Sequence, residues 1–275
     1  MTRLSDFLAG RGPAEMYDTY WVPCSLTPFA RALAGQVSPH DNVLDVGAGT
    51  GLVTQFAAER ATRQGRVTCL EPTPFMLDAL HAKFSHIPNI DVAEGIVESI
   101  SFDDDAFDVI LCHQVLQYVD DLPQGFREIY RVLRPGGMLA AGVWAGPPDQ
   151  QLGLLESMYR AYLGDAFAPI RAWSFGGPGR LQQLAEGAAF KVESLTTETY
   201  PLRFRSVEEM VFVHLAGGMR IEGGEVRMGL FDLEDPSYEP KVEAMVADLE
   251  KRLVQFVGPD GVEIPFGSHV VVALK

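Results

Sequence analysis

At 275 residues, with a formal net charge of −15 and 47% hydrophobic residues, the chain is long enough for one large α/β domain or a domain with a substantial insertion. That acidity, with no local cluster of Lys and Arg to offset it, argues against nucleic acid as a substrate. Three scattered cysteines, Cys24, Cys69 and Cys112, suit neither a metal site nor a disulfide framework, and no apolar run reaches membrane-spanning length or reads as a leader, so a cytoplasmic location is expected.

Residues 1–40 read as an N-terminal helical cap, with Tyr17, Tyr20 and Trp21 among polar positions and an amphipathic segment around Phe29, Ala32 and Leu33 that should pack on a sheet. Short apolar runs then alternate with helical spacing, which predicts strands near 42–46, 66–70, 90–94, 108–112 and 138–143. The fold class expected is α/β, a doubly wound, mostly parallel seven-stranded sheet of Rossmann-like type with helical lid elements. Its core should run over 41–200 and 263–275.

Asp121 with Gln124 predicts a capped helix that Pro135-Gly136-Gly137 ends. Gly146-Pro147-Pro148 is a breaker, after which Leu155, Met158, Tyr159, Tyr162 and Leu163 recur at helical spacing. A sixth strand is expected over Lys191–Tyr200 and a last one over His269–Leu274. Residues 201–262 read as a helical insertion and substrate lid: Ser206 with Glu209 caps one helix, and Val242, Met245, Val246, Leu249, Leu253 and Phe256 form the stripe of another. Within it, the Gly-rich acidic stretch Gly223 to Asp235 is expected to be a mobile loop.

The organising stretch is Val43 to Gly51. A buried strand runs into Gly47, Gly49 and Gly51 and then into a helix, so the backbone can turn sharply and a ligand can lie on it beside free N–H groups. A dinucleotide fingerprint, G-x-G-x-x-G, is absent in every register: counting from Gly47 puts Leu52 last, and counting from Gly49 puts Thr54 last. An NAD-dependent oxidoreductase is therefore disfavoured. Glu71 ends the next strand at about the twenty-residue distance where a carboxylate can accept bonds from ribose hydroxyls.

With Asp45 two positions before Gly47, the pattern D-x-G-x-G-x-G resembles the first motif of class I S-adenosylmethionine (SAM) methyltransferases. The order of motifs, through Glu94-Gly95, Phe107 to Cys112 and Leu133-Arg134-Pro135-Gly136-Gly137, resembles the ubiquinone/menaquinone-biosynthesis-like methyltransferases. A bacterial subgroup carries Cys-Gln-x-x-Leu-Gln after the fourth strand, and Cys112-His113-Gln114-Val115-Leu116-Gln117 is similar but for His113. Tyr17 to Pro23 and Asp260 to Pro265 also look like that subgroup.

The resemblance implies SAM as cofactor, with S-adenosylhomocysteine as product, held by Tyr17, Asp45, Gly47, Ala48, Gly49, Thr50, Gly51, Glu71, Pro72, Met76, Gly95, Ile96, Val97 and His113. Tyr20, Trp21, Gln114 and Gln117 are assigned to the substrate. The family's usual adenine-binding Asp is replaced by Ile96, which leaves the backbone of Ile96 and Val97 to hold the adenine edge. His113 sits where its ordinary pKa range would let it take a proton, or its backbone merely lines the pocket. The other histidines, His214 among them, read as structural.

Methyl transfer from a sulfonium is an in-line displacement that needs alignment and exclusion of water more than an acid–base pair. The function expected is methylation of a small, largely apolar organic acceptor, with no metal, no nucleic acid, no membrane insertion and a homodimer left open. Rival readings are a SAM-fold isomerase, cyclase or lyase, and a non-catalytic SAM-binding module that Ile96 would suit.

Overall fold

The computed structural model describes residues 4–8, 10–145, 150–164, 175–222, 225–229 and 235–275. The chain divides into two compact units, Met1–Leu26 with Gly146–Ile170 and Tyr200–Phe266, and Thr27–Ala145 with Arg171–Thr199 and Gly267–Lys275. We call them the helical unit and the sheet unit. This division differs from the sequence boundaries: 27–40 joins the sheet unit, whereas 146–170, Tyr200 and 263–266 belong to the helical unit.

In the sheet unit, α1 (Leu4–Leu8) and α2 (Pro13–Met16) have no part, and the first element is α3 (Thr27–Ala34). It is followed by β1 (Asn42–Val46), α4 (Leu52–Ala61), β2 (Arg66–Glu71), α5 (Pro74–Phe84), β3 (Ile90–Glu94), β4 (Phe107–His113), α6 (Leu122–Val132) and β5 (Leu133–Trp144). After α7 (Gln150–Leu163) of the helical unit come α8 (Pro178–Gly187) and β6 (Lys191–Phe204). The chain continues through α9 (Val207–Gly217), β7 (Met219–Glu222), β8 (Glu225–Met228), α10 (Glu239–Arg252), β9 (Val257–Gly258) and β10 (Gly261–Leu274).

The sheet order is β3-β2-β1-β4-β5-β10-β6, with β9 paired to β10. β1 to β5 are parallel, and β10 runs antiparallel to β5. The expected doubly wound α/β fold is therefore present, and its layers follow from period-two alternation along strands covered on both faces. Val43, Val67, Val109, Leu111 and Ala140 face α3 and α4, meeting Leu33, Val53, Phe56 and Ala57. Leu44, Val46, Ile110, Cys112, Leu139 and Ala141 face the other way, toward Phe126, Ile129 and Val132 of α6 and Leu181 and Ala185 of α8. Asp121 caps α6 as expected, its side chain accepting from the Gln124 N–H at 3.0 Å.

Three strand boundaries depart from the sequence reading. β5 begins at Leu133, not 138, because Leu133 pairs with Phe107, and a register shift follows across the Pro-Gly-Gly segment, where Gly136 takes a positive φ of 80°. β6 runs on to Phe204. β10 begins at Gly261, eight residues before His269, with Val262, Ile264 and Phe266 buried while Glu263 and Pro265 are exposed. That alternation carries the strand through Pro265 despite the residue's low strand propensity.

In the helical unit, Tyr17–Leu26 forms a π-helix with Pro23 inside it. α10 packs on α7 and α9, burying Val242, Met245, Val246 and Leu249 as the predicted stripe, with Leu155, Met158, Tyr159 and Leu163 buried on α7. Ser206 caps α9 by accepting from the Glu209 N–H at 3.0 Å, and the Glu209 carboxylate accepts from the Arg205 N–H at 2.6 Å. The expected mobile loop is corrected in part: Glu225–Met228 is the second strand of an antiparallel pair with Met219–Glu222. The remainder of that stretch up to residue 234, apart from Gly229, and the breaker 146–148 lie outside the described residues.

Candidate active site

The site is built at the carboxyl ends of β1, β2 and β4. The register Val46↔Leu70 and Val46↔Cys112 sets the turn after β1 beside the ends of both neighbours. Gly47 and Ala48 each donate a backbone N–H to the Leu70 carbonyl, at 2.7 and 3.1 Å, which ties the turn to β2.

All three glycines have positive φ, but their surroundings differ. A Cβ at Gly47 would lie 2.2 Å from Val115 Cγ2, and one at Gly51 would lie 2.2 Å from Phe84 Cε2. A Cβ at Gly49 would meet nothing within 4 Å. The outer glycines are therefore required by packing, whereas the middle one faces open space on which a ligand can rest.

Glu71 is buried at the end of β2. One carboxylate oxygen accepts from the Gly49 N–H at 2.9 Å, and the other accepts from the Thr73 N–H at 3.0 Å. The residue thus braces the turn, and the remaining lone pairs are available to a ligand hydroxyl. Asp45 lies beneath the turn at 1% exposure, accepting from Thr54 Oγ1 at 2.6 Å. Burial pushes its pKa up to about 7, opposed by the bond from Thr54. The structure therefore gives Asp45 a supporting place, in contrast to the direct ligand contact expected from the motif.

The segment after β4 is bound into the sheet. Gln114 takes a positive φ of 57°, donates its N–H to the Gly142 carbonyl at 2.9 Å, and donates its side-chain amide to Ser268 Oγ at 3.0 Å. The Gln117 amide donates to the Gln114 carbonyl at 2.7 Å. Each side-chain amide thus has one N–H engaged within the sheet unit, which fixes the orientation of both residues. Their Oε1 atoms, together with Thr50 Oγ1 and His113 Nε2, are buried and have no hydrogen-bond partner among the described residues. His113 is only half-buried as a residue, but its ring nitrogen is enclosed. Desolvation lowers its pKa to about 3, so the ring is neutral at pH 7 and a poor base.

At the β3 end, Gly95 donates to the Glu71 carbonyl at 3.3 Å, and Ile96 is 48% exposed. The Val97 and Met76 side chains are buried, so only their backbones could serve a ligand, while Pro72 is exposed. Lys83, which donates to the Thr50 carbonyl at 2.8 Å, and Ser268 were missed in the sequence. Neither lies in a motif, and only sheet order brings Ser268 to the end of β4. Tyr17, Tyr20 and Trp21 belong to the helical unit, where Tyr20 packs on Phe7 at 4.4 Å and Trp21 on His214 at 5.0 Å between centroids.

Residues 44–141 match the family described as Methyltransferase domain. The chain carries a class I methyltransferase domain. Over 121 residues it is 36% identical to a demethylmenaquinone methyltransferase of Chlorobaculum tepidum, covering 44% of this chain and 47% of that one. Over 211 residues it is 31% identical to the biotin biosynthesis bifunctional protein BioHC of Teredinibacter turnerae, covering 72% of this chain and 35% of that one. The chain thus spans about half or less of the length of these relatives. A Haemonchus contortus phosphoethanolamine N-methyltransferase 2, solved with phosphomonomethylethanolamine and S-adenosylhomocysteine, has a TM-score of 0.57 at 16% identity, covering 100% of this chain and 60% of that one. At that identity the likeness speaks for the fold. The methyltransferase domain places its glycine turn, Glu71 and the four unpartnered atoms at one end of one sheet. Among the described residues, no helix is long and apolar enough to cross a membrane.

Proposed function

We propose that the chain transfers the methyl group of S-adenosylmethionine to a small, largely apolar organic acceptor. The observation that carries this reading is the set of buried, unpartnered atoms at Thr50, His113, Gln114 and Gln117 beside a glycine turn with an open face. Neutral acceptors suit the ammonium of an amino acid, and each unmade bond costs about 1–3 kcal/mol until a donor arrives. Glu71 suits the ribose hydroxyls, and the Gly95–Ile96 backbone suits the adenine edge. Bound SAM supplies an electrophilic methyl on a sulfonium. The chain's own residues hold and orient it, and the neutral His113 ring serves as a hydrogen-bond acceptor there. In the helical unit, Tyr20 and Trp21 are assigned to the acceptor, and the charge of −15 disfavours a polyanion.

Calorimetry with SAM, S-adenosylhomocysteine and NAD tests the cofactor. Binding of the first two at one site per chain is expected, and binding of NAD alone would sink the reading. A screen over phenols, quinones, amines, tRNA and peptides, read as S-adenosylhomocysteine formed, tests the acceptor. Turnover confined to tRNA or peptides would refute the apolar acceptor.

A further inference from the structure

Gln114 holds a backbone conformation at the candidate site that a side chain disfavours. Its φ is 57°, in the left-handed region where a Cβ crowds the backbone. Among the described residues other than glycine, His40, Thr62, Asp105 and Ala189 also have positive φ, but they precede β1, β2, β4 and β6. Of this group Gln114 alone follows the carboxyl end of a strand, which is where the glycine turn lies. The turn it makes is a wall of that site: the next residue, Val115, packs so closely on Gly47 that a Cβ there would lie 2.2 Å from Val115 Cγ2.

This strained turn is held by a chain of hydrogen bonds that begins on β10. Ser268, 1% exposed, donates its hydroxyl proton to the Val143 carbonyl at 3.0 Å. A carbonyl only accepts, so the proton is committed there, and the hydroxyl oxygen meets the Gln114 amide as an acceptor, 3.0 Å from Nε2. Gln114 also donates its backbone N–H to the Gly142 carbonyl, and its own carbonyl accepts from the Gln117 amide at 2.7 Å. Alanine would fill the space of Ser268 in the sheet, whereas the hydroxyl is what fixes the direction of the Gln114 side chain. Every residue in this chain of bonds belongs to the sheet unit.

We propose that Ser268 is a positioning residue for the cofactor: by fixing Gln114 it holds the turn after β4 in its left-handed conformation, against which the amino-acid end of SAM lies. The inference rests on the methyltransferase reading and adds to it a residue 154 positions away in sequence from the one it holds. Ser268 touches no ligand in this role. Strain at a binding wall persists only where the surroundings hold it, and a wall already in place spares the ligand the cost of ordering it. Without the hydroxyl the turn relaxes toward negative φ and carries Val115 away from Gly47.

The test compares S-adenosylhomocysteine with methylthioadenosine, which keeps the adenosine and the thioether and lacks the amino-acid end. Calorimetry on the full chain measures both ligands in the wild type, Ser268→Ala, Ser268→Thr, Gln114→Gly and the double variant of Gln114→Gly with Ser268→Ala. Ser268→Ala should lose about tenfold in affinity for S-adenosylhomocysteine and stay within about twofold for methylthioadenosine, because Glu71 and the Gly95–Ile96 backbone are untouched. Ser268→Thr, which keeps the hydroxyl, should recover most of the loss. Glycine takes a positive φ without strain, so on the Gln114→Gly background Ser268→Ala should change the affinity for S-adenosylhomocysteine by less than about twofold. A packing role for Ser268 would instead move both ligands together. If Ser268→Ala does not fold, Ser268→Cys, which fills the site but bonds weakly, takes its place. An unchanged affinity for S-adenosylhomocysteine without the hydroxyl, an equal loss for both ligands, or a loss kept in full on the Gln114→Gly background would overturn this inference alone. Failure of the wild type to bind SAM and S-adenosylhomocysteine would overturn the methyltransferase reading with it.

Discussion

Alanine at each of the three turn glycines should give two different kinds of damage. All three positions have positive φ, 65° at Gly47, 57° at Gly49 and 88° at Gly51, where a Cβ costs about 1–2 kcal/mol. At Gly47 the new methyl would also lie 2.2 Å from Val115 Cγ2 and 2.7 Å from its Cβ, and at Gly51 it would lie 2.2 Å from the Phe84 ring. Forcing a methyl into packed surroundings adds about 1–3 kcal/mol, so Gly47→Ala and Gly51→Ala should lose about 2–5 kcal/mol of stability. Gly49→Ala has only the backbone strain, because nothing lies within 4 Å of its Cβ. Thermal unfolding of the unliganded protein should therefore rank Gly49→Ala as the mildest. Calorimetry should rank it differently: the methyl would occupy the face on which SAM rests, and affinity should fall about tenfold or more at little cost in stability. If Gly49→Ala bound SAM within twofold of the wild type, the ligand would not lie on that face. Equal destabilisation by all three substitutions would refute the distinction between packed and open glycines.

Glu71→Gln keeps one oxygen acceptor but sets an amide donor against a backbone N–H, so SAM affinity should fall by about tenfold to a hundredfold, the worth of one charge-assisted bond, while the fold survives. An unchanged dissociation constant would place the ribose elsewhere. Asp45 binds its proton more tightly in the folded protein, at about 7 against an ordinary 3.8, so its contribution to stability is full below about pH 4 and lost as pH rises through 7. Denaturant unfolding should therefore show the wild type losing up to ~4 kcal/mol relative to Asp45→Asn across that window, and a constant difference would mean the carboxyl is not buried as described. His113, held at about 3, should leave the pH–rate profile without an ionisation near 6.5. Such a limb, present in the wild type and absent in His113→Asn, would show that the ring does titrate during turnover.

The layers of the fold were legible because burial on both faces writes continuous apolar strands, and Val43, Leu44, Val109, Ile110 and Leu111 leave no other reading. The ends of β5 and β10 were not, because Gly and Pro were read by propensity. Pairing satisfies the backbone through Leu133 and through Gly261 and Val262 regardless. The division of the chain was hidden for a related reason. Phe29 and Leu33 gave a helix expected to pack on the sheet, as α3 does through Leu33, but the pattern does not mark where the polypeptide passes from one unit to the other.

At the site, residue types were easier to read than their orientation. The motif D-x-G-x-G-x-G located the turn, but spacing cannot say that Asp45 turns inward to Thr54 while Gly49 turns outward. The resemblance assigns Asp45 to the cofactor, yet it lies buried beneath the turn, and Glu71 braces the turn directly through the Gly49 N–H. The same limit applies to the histidines. His113 drew attention by its place after β4, and burial then removed its use as a base. His214 had no motif around it, and only the helix geometry that spends its Nδ1 proton on Met210 leaves Nε2 as a lone pair unmatched among the described residues. A sequence states which groups can ionise or donate, whereas the structure determines which remain unsatisfied, and the unsatisfied groups are the ones that a ligand can reward.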